Sequence, residues 1–153
     1  MGDLDLQCVT DESVPDEADF EHWVATALVG RREDWELAIR LIDAAESQAL
    51  NRDYRGRDRP TNVLSFPADL PAGVTLPLLG DLAICAPIVR REAREQGKPV
   101  DAHWAHLTIH GVLHLLGFDH MDSVEAETME TEERGIMAQL GYDDPYQPGR
   151  SPA

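Results

Sequence analysis

The segment from His110 to His120, His-Gly-Val-Leu-His-Leu-Leu-Gly-Phe-Asp-His, constrains this chain more than any other feature. On an α-helix, residues four apart lie on one face about a turn apart, so His110 and His114 can reach a single ion. Gly117 can take the positive φ that ends a helix, and the turn it makes can return His120 as a third ligand. Three neutral imidazoles leave the ion its full positive charge, enough to bring a bound water near a pKa of ~7. The opposite side of the same helix carries Ile109, Val112, Leu113 and Leu116, a core-facing stripe. His103 and His106 project close to the same helical face, which makes His106 a rival ligand one turn upstream. The local turn through Gly117 favours His120. His103 reads as a packing or surface residue, and His22 as an ordinary helix-surface one.

Around this helix the pattern alternates between the two secondary-structure periods. Leu4 to Val9 reads as a strand, and Phe20, Trp23, Val24, Ala27 and Leu28 mark one face of a helix. Trp35 to Ile42 alternates as a strand. Asp43-Ala44-Ala45-Glu46 has the form of a capping box that opens a helix toward Tyr54. Strands follow at Thr61 to Phe66 and at Leu79 to Ala86, with a proline-rich loop between them. Residues 87–96 read as a charged helix, and Asp101 to Leu116 as the long metal helix. Asp122 starts a final helix that Gly141 stops. The expectation is an α/β fold: a small mixed β-sheet with flanking helices and a zincin-like metal helix. Residues 1–146 are expected to form a single catalytic domain, and 147–153 a frayed tail.

The 153 residues, 42% of them hydrophobic, suit one core. No apolar run approaches the roughly 20 residues that span a bilayer. The acidic N-terminus lacks the basic and apolar regions of a secretory leader, so a soluble cytoplasmic protein is expected, with no membrane partner. Cys8 and Cys85 are far apart in sequence, outside any Cys-x-x-Cys pair, and read as buried free thiols. A net charge of −16 opposes nucleic-acid binding as a bulk property. Its distribution weakens that objection. Arg52, Arg55, Arg57 and Arg59 outnumber Asp53 and Asp58, whereas the acidic excess collects between Asp119 and Asp144.

The histidine spacing matches zinc peptidases of the pattern H-E-x-x-H-x-x-G-x-x-H, but Gly111 stands where their general-base glutamate belongs. Phosphodiester hydrolysis has no such need, because a metal-activated water can attack without a side-chain base. An arginine beside the metal would complete such a site by neutralising phosphate oxygens.

Asn51-x-x-Tyr54-Arg55-Gly56-x-Asp58, Pro60-Thr61-Asn62-Val63-Leu64-Ser65-Phe66-Pro67, Leu79-Gly80-Asp81, and Trp104-Ala105-His106-Leu107 leading into the histidine segment resemble the bacterial YbeY endoribonucleases. Glu125-Ala126, Met129-Glu130 and Gly141-Tyr142-x-Asp144-Pro145-Tyr146 also fit, so the resemblance runs from about residue 43 to 146. It implies a single-strand-specific, metal-dependent endoribonuclease. Its expected work is ribosomal RNA maturation, notably at the 3′ end of the small-subunit RNA, and ribosome quality control. It implies His110, His114 and His120 as metal ligands and Arg55 as the essential arginine.

In this reading RNA and the ribosome or its small subunit are partners, and DNA is not. Zn2+ is the expected ion, although nickel, copper and iron also suit imidazole. The alternative for Arg55 is a structural pairing with Asp53 or Asp58. Arg57 and Arg59 read as backbone-steering charges. A regular strand puts Asn62 and Ser65 on opposite faces, which leaves Ser65 as the weak substrate-binding candidate. Asp119 either orients a ligand histidine or caps the turn, and the acids after Asp122 read as a solvated helix face. Two other functions stay open: a ribosome-binding assembly factor with a structural metal, and a metallopeptidase-like hydrolase whose base lies elsewhere.

Overall fold

The computed structural model describes residues 2–74, 76–119 and 122–146. In chain order the elements are β1 (Gly2–Cys8), α1 (Glu17–Leu28), β2 (Trp35–Ile42), α2 (Ala44–Arg55) and β3 (Val63–Pro67). They continue as β4 (Leu78–Cys85), α3 (Ala86–Gln96), α4 (Val100–Leu115) and α5 (Ser123–Gln139). The four strands form one sheet in the order β1-β2-β4-β3. β1, β2 and β4 run parallel, and β3 pairs antiparallel to β4. The mixed α/β fold with a small sheet expected from the sequence is therefore present; of the five helices among the described residues, α5 packs on α4 and α1 rather than on the sheet.

The two sheet faces are closed separately. Leu37, Ile39, Leu41, Leu82 and Ile84 pack with α1, α4 and α5 in the main core. Ile42, Leu64, Ala83 and Cys85 form a smaller cluster with Ile88 of α3 and Leu50 of α2 on the other face. Phe20 stacks edge-on to Trp23 and Trp104, at centroid separations of 5.2 and 5.7 Å, which joins α1 to α4. Each such aromatic pair contributes about 0.5–1.5 kcal/mol beyond its buried area.

α4 is the central helix. It touches α1, α3, α5, β3 and β4, and every residue from His103 to Ile109 is buried. A helix buried on so many sides belongs inside a domain, and its buried polar members, His103, His106 and Thr108, are each hydrogen-bonded. Its footing on the sheet is tight. Ser65 of β3 and Leu82 of β4 are direct partners in the ladder, and Gly111 rests on Leu82. A second close approach fixes the β3–β4 pair: Gly80 has φ +141°, and a Cβ there would lie 2.3 Å from the Phe66 carbonyl oxygen. Glycine meets both demands.

Element ends differ from the sequence expectation in small ways with identifiable causes. β1 begins at Gly2 and pairs with β2 through Cys8. Because it is the edge strand, Cys8 is exposed, correcting the expected burial, while Cys85 is buried as expected. The capping box at Asp43 does not form. Asp43 instead accepts a hydrogen bond from Thr10 at 2.5 Å, and Glu46 pairs with Arg40. At α5 the expected cap is present, with Asp122 Oδ1 accepting from Glu125 N at 2.8 Å. No helix among the described residues is long and apolar enough to cross a membrane.

Candidate metal centre

Within the buried stretch of α4, burial relaxes at two positions. From His103 to Leu115 every residue is buried except His110 and His114, which are half-buried. Their rings stand 4.7 Å apart between centroids and nearly perpendicular, at 78°. The four-residue spacing thus gives two imidazoles one turn apart where the helix meets a surface. Gly117, at φ +105°, ends the helix as expected, with Phe118 N donating to Leu113 O at 3.0 Å. His120 lies outside the described residues.

The residue that the sequence reading missed is Glu133. It is fully buried on α5 and shares its face with Met129, Ile136 and Met137. Glu133 Oε1 accepts from His110 Nδ1 at 2.9 Å. Oε2 accepts from the Tyr146 hydroxyl at 2.6 Å and from His106 Nε2. Tyr146 is itself held by its backbone N donating to Asp144 Oδ1 at 2.8 Å. Asp144 pairs with Arg134 at 3.2 Å, and Lys98 Nζ donates to the carbonyl of Pro145. The tail of the described chain is therefore folded back onto α5.

Burial alone would push the Glu133 carboxyl up. The hydrogen bonds from His106 and His110 outweigh it and hold the group down at about 2. For His106, burial lowers the pKa more than Glu133 raises it. Both directions describe an ionised Glu133 beside a neutral His106, and one proton on each ring satisfies each contact. Tyr146 is raised by burial and by the hydrogen bond and charge of Glu133, so it remains a donor.

His106, His110 and Glu133 offer ligand atoms all within 4.8 Å of one another, a set that could hold a metal ion. Two ligands at ~2.0–2.2 Å from one tetrahedral ion stand roughly 3.3 Å apart. The His110–Glu133 contact at 2.9 Å is a hydrogen-bond length instead. The donor chemistry fits a divalent ion, and His114, beside His110 on the same face of α4, adds a third histidine. A cavity of about 160 Å3 opens beside His110 and Glu133, with Met129 and Tyr146 in its walls. It is smaller than the ~300 Å3 at which small-molecule pockets begin.

His103 is buried and bonds Glu92 at 2.9 Å, with Asn62 Nδ2 on the same carboxylate at 3.1 Å. Ser65 faces α4, and its hydroxyl donates to the Gly111 carbonyl at 3.4 Å, a weak contact on the helix turn between His110 and His114. Arg55 is the last residue of α2 and is exposed. The acids expected as its structural partners are engaged by others: Arg52 contacts Asp53 and Asp58, and Gln48 also binds Asp58. Arg57 and Arg59 are exposed in the following turn. That turn is anchored by two buried side chains of α2. Ser47 Oγ donates to Thr61 O and accepts from Thr61 N, while Asn51 Nδ2 donates to Arg59 O at 2.9 Å.

The family model described as Endoribonuclease YbeY matches residues 7–141. The chain is similar to the Endoribonuclease YbeY of Pseudomonas entomophila (strain L48), 58% identical over 147 residues. That match covers 95% of this chain and 94% of the relative. Similarity to the Endoribonuclease YbeY of Stenotrophomonas maltophilia (strain K279a) is 63% over 137 residues, 87% of this chain and 85% of that one. A solution structure of a Thermotoga maritima protein shares the fold, with a TM-score of 0.60 at 24% identity, covering 99% of this chain and 100% of that chain.

Proposed function

The chain belongs to the YbeY endoribonuclease family, and from that membership we propose a single-strand-specific, metal-dependent endoribonuclease that matures ribosomal RNA. Its work lies at the 3′ end of the small-subunit RNA and in ribosome quality control, in the cytoplasm and in contact with the ribosome. Residues 1–146 form its single catalytic domain. The observation that supports the metal reading is the pair of half-open histidines, His110 and His114, in the otherwise buried stretch of α4 from His103 to Leu115.

His110, His114 and His120 hold the ion, which is zinc by ligand chemistry. When bound, it supplies Lewis acidity at a phosphodiester. Arg55 stabilises negative charge developing at phosphorus through paired hydrogen bonds. The engagement of Asp53 and Asp58 by Arg52 supports that role, since it leaves the Arg55 guanidinium without an ion pair among the described residues. Arg57 and Arg59 neutralise neighbouring phosphates. Ser65, bonded to the helix turn between the two histidines, borders the substrate path. The packing of Gly111 on Leu82 tells against a peptidase, because it leaves no space for the missing general base.

The test is cleavage of single-stranded RNA by wild type, His114→Ala and Arg55→Ala, with metal content measured for each. Arg55→Ala is expected to keep its metal and fold while cleaving about 10²–10³-fold more slowly. His114→Ala is expected to lose both metal and cleavage. Full activity in metal-stripped wild type overturns the mechanism. A His114→Ala variant that loses metal and thermal stability but cleaves normally makes the metal structural.

A further inference from the structure

A fully buried carboxylate on α5 is costly, and an apolar side chain of similar volume would pack beside Met129, Ile136 and Met137 without that cost. We propose that Glu133 is the positioning residue of the metal centre: it fixes the His110 ring with its proton on Nδ1, which puts the basic lone pair on Nε2, where a divalent ion binds. This rests on reading His110 as a ligand.

The chemistry follows from the inventory of donors. An ionised carboxylate has acceptors only, and a neutral imidazole has one N–H and one lone pair. The nitrogen 2.9 Å from Glu133 Oε1 is Nδ1, so Nδ1 carries the hydrogen. Glu133 cannot swing to follow the ring, because Tyr146 and His106 hold its other oxygen. Tyr146 is in turn fastened through Asp144 and Arg134. One ring of the metal helix is thereby aimed by a network that runs through α5 to the end of the described chain. His106 serves that network. Its Nδ1 is buried with no hydrogen-bond partner among the described residues, a cost accepted to place Nε2 on the carboxylate.

Two measurements test this. The first is the ring 15N spectrum of metal-free wild type, in which His110 is expected as the Nδ1-protonated tautomer. The second is zinc affinity by chelator competition for Glu133→Gln, His106→Gln and His114→Ala, each checked for fold by circular dichroism. Glu133→Gln is expected to weaken zinc about 10–100-fold, His106→Gln to stay near wild type, and His114→Ala to lose binding. An Nε2-protonated His110, or wild-type affinity in Glu133→Gln, overturns the role of Glu133. Equal losses in His106→Gln and Glu133→Gln with binding retained in His114→Ala make His106, His110 and Glu133 the ligands themselves, which also overturns it. Wild-type affinity in His114→Ala with the Nδ1 tautomer intact overturns the ligand reading instead. If Glu133→Gln fails to fold, the tautomer in wild type still decides.

Discussion

A Cβ added to Gly111 would lie 2.7 Å from Cδ2 of Leu82, so α4 meets β4 with no space for a side chain. Alanine is a better helix former than glycine by about 1 kcal/mol. Overpacking a closed core costs about 1–3 kcal/mol, and Leu82 is only 1% exposed, so its methyl groups are packed on all sides. Packing therefore wins. Gly111→Ala is expected to lower stability by roughly 1 kcal/mol, read as a lower urea midpoint at unchanged slope. Gly111→Glu is expected to lose more and to gain no peptidase activity. A midpoint at or above wild type in Gly111→Ala would show that Leu82 yields.

The arginine-bearing turn depends on α2. Ser47→Ala strands both backbone groups of Thr61, and Asn51→Ala strands the carbonyl of Arg59. Each is expected to cost about 1–3 kcal/mol. Each is also expected to slow RNA cleavage more than it weakens zinc affinity, since His110 and His114 lie on α4 rather than on α2. Cleavage and zinc affinity falling together would contradict that separation.

Arg57 and Arg59 are exposed, so their contribution is electrostatic and screened by salt. Replacing either with alanine is expected to reduce the log–log salt slope of single-stranded RNA binding by about 0.7 for each phosphate that the arginine neutralises. The cleavage rate at saturating RNA is expected to change little. An unchanged slope removes the residue from the phosphate path.

Glu92 links α3 to His103 and Asn62. Burial raises its pKa, but the hydrogen bonds from His103 and Asn62 outweigh burial and leave it below the usual carboxylate range. A carboxyl depressed on folding stabilises the fold above its unfolded value of ~4.3 and loses that contribution as pH falls through the folded value. The melting-temperature gap between wild type and Glu92→Gln is therefore expected to hold near neutral pH and to shrink below about pH 4. A gap independent of pH would assign the effect to packing.

The helix α4 was legible in the sequence because a four-residue histidine spacing and an apolar stripe share one period, which the fold preserves. The strand Trp35–Ile42 was legible for the same reason. Glu133 was not, because it sits in a run of acids whose exposure a charge count cannot distinguish. The signal existed in phase: Met129, Glu133, Ile136 and Met137 fall at i, i+4, i+7 and i+8, so one carboxylate rides on the apolar face. The Asp43 cap failed for a different reason. Its side chain is taken by Thr10, 33 residues away, and local patterning carries no information about such a partner.

The burial of α4 has a further consequence for how the protein comes apart. Amides around Ile109 to His114 lie in the core, where exchange with solvent requires opening the whole domain, whereas the turn from Arg57 to Thr61 hangs on two side chains. Native-state hydrogen exchange is expected to give the first group the global unfolding free energy and the second a much smaller one. The histidines are then the durable half of the molecule and the arginines the expendable half. A partly denatured population would still carry the face of His110 and His114 after the arginine-bearing turn had come loose.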